Sequence, residues 1–182
     1  MKFDIFCEIQ RAKPWEENHE LALLQDTLDQ AQQADRCGFD IWWQVEHHGA
    51  PQFSYSAAPE VVLTAIAMRS KRMHVGHAGV LAPFKINGPL RVAERGATID
   101  LLSGGRFELG LAKTGGKEWE TFGVDPAMAR GCGILRTGLD RKITRTADSA
   151  ATPDEASGPR DLVGREQIQG TAFVSLAPAI PI

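Results

Sequence analysis

The sequence predicts an α/β fold built on a parallel sheet, and three observations carry that prediction. Short apolar runs with two-residue alternation recur four times before residue 113. Between them lie segments with helical spacing or a proline placed to open a helix. Gly38 and the run Ser103-Gly104-Gly105 stand where helices should stop. Strands that alternate with helices in this way pair in parallel through right-handed crossovers. Function in such folds gathers at the carboxyl ends of the strands.

Each element follows in order. Residues 2–9 (KFDIFCEI) alternate Phe3, Ile5 and Cys7, the pattern of a strand. Leu21, Leu24, Leu28, Ala31 and Ala34 recur at three- and four-residue steps, which predicts an amphipathic helix over about 19–36 closed by Gly38. Phe39, Ile41, Trp43 and Val45 alternate as a second strand, 39–45. Pro59 opens a second helix to about residue 69, with Glu60 suited to its amino end. Residues 74–81 (HVGHAGVL) form a third strand whose glycines predict a bulge. Pro89 opens a third helix through Leu102, and residues 106–112 (RFELGLA) are a fourth strand.

Composition bounds the rest. With 43% hydrophobic and 24% charged residues in 182, the chain can bury a core. Twenty basic against 23 acidic side chains leave no footprint for nucleic acid or an anionic membrane. No apolar run approaches the roughly 18 residues of a membrane span. Three cysteines without a CxxC pair exclude a disulfide scaffold and a zinc ribbon, and Cys7 and Cys37 are read as small buried residues in a protein of the reducing cytoplasm. Composition breaks after Arg130: only Phe173 among 13 aromatic residues lies beyond it. Residues 144–170 lack sustained hydrophobic periodicity, and the tail beyond about Thr144 is expected to show little regular structure and few contacts to the body.

At the predicted carboxyl ends stand Glu46-His47-His48, Ala78-Gly79-Val80, and Lys113 through Lys117. A neutral imidazole shuttles protons or binds a ligand near neutral pH, whereas a loop histidine packed under its neighbours does neither. Adjacent side chains of an extended chain point to opposite sides, and no HExxH is present, so no metal is expected. The stretch from Gly110 to Lys117 fails as a phosphate loop, because Gly116 stands where the lysine belongs. Gly76 and Gly79 permit close approach, either of a flat ligand or of neighbouring protein. His77 is given no role. Trp42, Trp43 and Trp119 are pocket candidates, with at least one expected in the core.

These residues also carry a resemblance. The segments MKFDIF, DRCGFDIWWQVEHH, SAAPEVVLTAIAMRSKRMHVGHAGVLAP, PLRVAERGATIDLLSGGRFELGLA and EWETFGVDP, in this order, resemble the bacterial luciferase-like family of flavin-dependent monooxygenases over about residues 1–126. The resemblance implies a TIM-type (β/α)8 barrel, here its first four β/α units over 1–126, followed by a divergent, largely irregular tail over 127–182. It implies reduced FMN and molecular oxygen as co-substrates for oxygenating a small organic substrate, a separate flavin reductase, and a homo- or heterodimer. His47 matches the family's catalytic histidine. Ala78 and Gly79 match a bulge that lies against the isoalloxazine ring and often contains a non-proline cis peptide. Lys113 matches a basic position read as cofactor-binding. Glu46, His48 and Glu118 fall in the same motifs as candidate substrate- or cofactor-pocket residues.

The departures begin after Asp125-Pro126. The helix and four further β/α units of the family have no counterpart, apart from a trace in Gly133-Ile134-Leu135-Arg136. The chain is therefore expected to be a truncated or frame-shifted product of low activity. Two alternatives stand beside the FMN monooxygenase: a deazaflavin-dependent oxidoreductase of the same superfamily, and a non-catalytic barrel fragment.

Overall fold

The computed structural model describes residues 2–113, 115–127, 167–168 and 171–175. Along the chain run β1 (Ile5–Cys7), α1 (His19–Cys37), β2 (Ile41–Gln44), α2 (Pro59–Arg69), β3 (His74–Leu81), α3 (Pro89–Ser103), β4 (Phe107–Ala112), α4 (Gly116–Phe122), β5 (Gln167–Ile168) and β6 (Thr171–Ser175). The four predicted strands are present, and they pair in parallel in their sequence order, β1-β2-β3-β4. Gly38 and Gly104 adopt the left-handed conformation that ends α1 and α3, as their positions predict.

Sequential strand order puts each helix over the neighbouring strand pair. Ala31 and Ala34 of α1, Leu63, Ile66 and Ala67 of α2, and Val92, Ala93 and Ile99 of α3 share one core with Trp42, Val75, Phe107 and Leu109. All three helices thus cover one face of the sheet, the arrangement of a barrel wall rather than of a doubly wound sheet. On the other face the Trp43 ring lies where a side chain on Gly76 would stand, and its indole donates to Asp4 Oδ2 at 3.2 Å. His74 Nδ1 pairs there with Glu108 Oε1 at 2.9 Å.

Two polar anchors hold the amino ends of the strands. The Arg106 guanidinium donates to Met73 O at 2.6 Å and Ala67 O at 2.9 Å, tying the end of α2 to the start of β4. The Asp35 carboxylate accepts from the backbone of Lys71, Arg72 and Met73 at 2.7–3.1 Å, which fixes the turn into β3. The predicted bulge is in β3: His77 pairs with Leu109 but Val80 with Leu111, so three steps on β3 answer two on β4. The Ala78–Gly79 peptide within it is cis.

Several expectations are corrected. In α1 the buried face is Thr27, Ala31 and Ala34, while Leu21 and Leu24 are exposed. Cys37 is exposed rather than buried, because it ends α1 on its outer side, and Cys7 is half-buried. The segment after β4, for which no helix is predicted, forms α4. The tail is not wholly irregular: β6 pairs antiparallel with β4, and β5 with β6. That pairing satisfies the backbone of β4 on the edge away from β3. The remainder of the predicted tail lies outside the described residues. Among the described residues no helix is long and apolar enough to cross a membrane.

Candidate active site

The strand period of two divides the residues at the end of β2 between two environments. Trp42 and Gln44 face the helix layer, and Glu46 continues on that side, 6% exposed. His47 turns the other way, to the loops at the carboxyl edge, and its side chain is 28% exposed. Loop 49–58 folds back to hold this strand end: Ser56 O accepts from His47 N at 3.0 Å, and Ser56 Oγ donates to Val45 O at 2.6 Å.

His47 sits between two carboxylates. Its Nδ1 donates to Glu118 Oε1 at 3.0 Å, and its Nε2 lies 3.4 Å from Glu8 Oε2. A carboxylate only accepts, so the Glu118 contact places a hydrogen on Nδ1. The same Glu118 oxygen accepts from His48 N at 3.2 Å, so α4 fixes both the ring of one histidine and the backbone of the next. Phe53 closes edge-to-face on the His47 ring at 4.9 Å between centroids. This arrangement can hold an imidazole in one tautomer and orientation while leaving part of it open to a ligand.

Behind it lies a closed polar network. Glu46 Oε1 accepts from His48 Nε2 at 3.0 Å and Asn87 Nδ2 at 2.8 Å, and Glu46 Oε2 accepts from Leu81 N at 2.9 Å. Asn87 passes the chain on to Arg95, which pairs with Glu60. Burial works against the charge on Glu46, but the donors around it, His48, His77 and Asn87, outweigh burial and hold its carboxyl well below the usual carboxylate range. The hydrogen bond to Glu46 raises the His48 pKa above its ordinary value, with burial opposing.

A raised histidine pKa stabilises the fold fully below the ordinary histidine value and loses that stability as pH rises through the folded-state value. The urea midpoint of the protein is therefore expected to fall on going from about pH 6.5 upward. His48→Gln should flatten that limb of the profile; an unchanged slope would show that the His48–Glu46 pair does not set it.

The structure brings His47, Glu118 and Glu46-His48 to one strand end; Lys113 follows the end of β4, its Nζ 5.9 Å from the centroid of the Trp119 ring on α4. Gly76 and Gly79 give their side-chain space to protein, Gly76 to the Trp43 ring and Gly79 to the β4 backbone. Sequence reasoning missed Glu8 and Asn87. Glu8 was readable as the charge that ends the first apolar run, whereas Asn87, in a connection, had no local signal.

Residues 1–148 match the family model described as luciferase-like monooxygenase. The chain belongs to this family. Its luciferase-like relatives include the 4-hydroxyprotoasukamycin monooxygenase of Streptomyces nodosus subsp. asukaensis, 35% identical over 118 residues, which are 64% of this chain and 31% of that protein. The oxygenase component of the flavin-dependent trigonelline monooxygenase of Acinetobacter baylyi is 29% identical over 128 residues, 70% of this chain and 34% of that one. In structure, the oxygenating constituent of 3,6-diketocamphane monooxygenase from the CAM plasmid of Pseudomonas putida, solved with FMN, superposes with a TM-score of 0.65 at 18% identity. That superposition covers 81% of this chain and 39% of the other and shows the shared fold. The luciferase-like chain thus spans about a third of the length of these curated relatives.

Proposed function

We propose that this chain forms four β/α units of a monooxygenase that uses reduced FMN and molecular oxygen to oxygenate a small organic substrate. The observation that carries the reading is His47, held by Glu118 at the open carboxyl edge of the sheet, on the strand end that adjoins the β3 bulge. The residues present fit the ring end of a flavin. Ala78 and Gly79 leave the ladders on both sides and, though buried, carry at most a methyl group that a ring would meet there. The indole Nε1 of Trp119 is buried without an acceptor, the kind of donor that a ligand oxygen satisfies. Lys113 is the candidate for the phosphate end. Bound there, reduced FMN supplies the activation of oxygen.

The protein's part is binding, orientation and proton handling. The bulge supplies the surface for the ring, and His47 presents its Nε2 as the atom that takes or returns a proton. Glu118 fixes the tautomer that makes this possible. The oxygenase-component relative in Acinetobacter supports a separate reductase as the source of reduced flavin. Phosphate sites in barrels of this type are frequently built after the seventh and eighth strands. Four units are therefore expected to bind FMN weakly and to turn over slowly.

The test is a titration of the purified chain with FMN, read by quenching of flavin fluorescence, alongside one with a deazaflavin. Saturable binding of FMN that weakens on Lys113→Ala supports the reading. Preference for the deazaflavin moves the chain to hydride transfer, and saturation by neither leaves a barrel fragment without cofactor.

A further inference from the structure

Backbone that leaves its ladders needs another restraint to keep one path, since its polar groups no longer have fixed partners. The bulge at Ala78-Gly79 is such a segment: β2 pairing ends at His77, and β4 pairing resumes only at Val80. One side of it is set by close packing, because a Cβ on Gly79 would stand 2.9–3.1 Å from backbone atoms of Gly110, Leu111 and Ala112. Glu46 restrains the rest. Its Oε2 accepts from Leu81 N at 2.9 Å, beyond the bulge, and lies 3.3 Å from His77 Nε2, before it, a close contact that falls short of a formed hydrogen bond. Its Oε1 is held in turn by Asn87 and His48 at 2.8 and 3.0 Å. The carboxylate therefore cannot swing away from the bulge without losing bonds at both oxygens.

We propose that Glu46 is a positioning residue: its buried carboxylate grips β3 on both sides of the bulge and so sets the backbone surface that Ala78 and Gly79 offer to a flavin ring. The flavin half of this statement rests on the proposed function above, whereas the grip on β3 stands without it. Glu46 touches no ligand in this role and acts through Leu81 and His77. It also links that surface to His48, and hence to the strand end that carries His47.

The test uses the full chain, labelled with nitrogen-15, as wild type, Glu46→Ala, Glu46→Asp and Glu46→Gln. In the protein without flavin, Glu46→Ala is expected to speed exchange of the Leu81 amide more than tenfold and to shift the Ala78 and Gly79 amide resonances. Glu46→Gln keeps a carbonyl that can accept from Leu81 N, but its NH2 then faces the Asn87 Nδ2 donor, so all three signals should fall between wild type and Glu46→Ala. With FMN as the probe, Glu46→Ala should raise the dissociation constant about tenfold and Glu46→Gln less than threefold. Glu46→Asp, one carbon shorter with its charge intact, decides the matter if Glu46→Ala fails to fold; it should shift the same resonances. Ala78 and Gly79 resonances that stay in place while Leu81 loses protection overturn the proposal, as does an unchanged FMN affinity in Glu46→Ala or Glu46→Asp. A wild type that never binds FMN, with resonances moving as described, removes the flavin reading and leaves the grip on β3 established.

Discussion

Gly79→Val is expected to lower the stability of the chain by roughly 2–3 kcal/mol in the absence of any flavin. The first added carbon would stand 2.9 Å from Leu111 C, 3.0 Å from Ala112 N and 3.1 Å from Gly110 C. All three atoms are backbone of β4, so no side chain can rotate away. Relief requires β3 and β4 to part at the bulge, and with them the strand pair that carries Val75, Phe107 and Leu109 into the core. The branched side chain adds its own volume to an already closed space. Gly76→Ala makes a useful contrast. The new methyl would meet the Trp43 ring at 2.1 Å, but that ring lies on the half-open face and can turn at the cost of its bond to Asp4. A smaller loss is expected there, about 1 kcal/mol. Urea unfolding of the three proteins without FMN measures both. If Gly79→Val keeps wild-type stability and loses only flavin affinity, the glycine serves the ligand and not the strand pair.

His47→Asn is expected to cut oxygenated product per reduced FMN consumed by about 10²-fold, the lower end of what a positioned proton-transfer group contributes. The asparagine amide can still donate to Glu118, as His47 Nδ1 does at 3.0 Å, so the strand end keeps its shape. It lacks a second nitrogen at the Nε2 position, the atom that lies 3.4 Å from Glu8 Oε2. FMN affinity should therefore stay within about threefold while coupling collapses. The ratio of product to flavin, with a long-chain aldehyde as the probe substrate, is insensitive to a low absolute rate. Glu118→Gln should fall between the two proteins, because its amide oxygen can still accept from Nδ1 but carries no charge. Product yield unchanged in His47→Asn would take proton handling away from this residue.

The fold was legible where one physical signal dominated. Alternation in residues 39–45 and 74–81, proline at positions 59 and 89, and Gly38 and Gly104 each follow from local sterics, and all reappear in the structure. Legibility failed where a tertiary partner decides. Nothing near Leu21 and Leu24 tells that the core ends before them, and nothing near residue 171 tells that β4 would pair with it. The short helix α4 had its stop written in Gly123 but too few apolar residues to show a period. The site divides in the same way. The opposed directions of Glu46 and His47 follow from the strand repeat alone. That Asn87 completes the network behind Glu46, and that Glu118 rather than Lys113 reaches His47, depends on how a connection 41 residues away and a helix 71 residues away are placed.

That last separation has a temporal side. At about 5–20 residues per second of synthesis, His47 precedes Glu118 by roughly 4–14 s. Strand β2 and the helix layer around Trp42 have their sequence in hand well before α4 exists, since β3 and α2 both lie upstream of it. A nascent chain can therefore assemble the wall first and receive its imidazole's partner last. The His47–Glu118 contact cannot form before residues 116–122 exist, so the site is complete only after the wall around it has its full sequence.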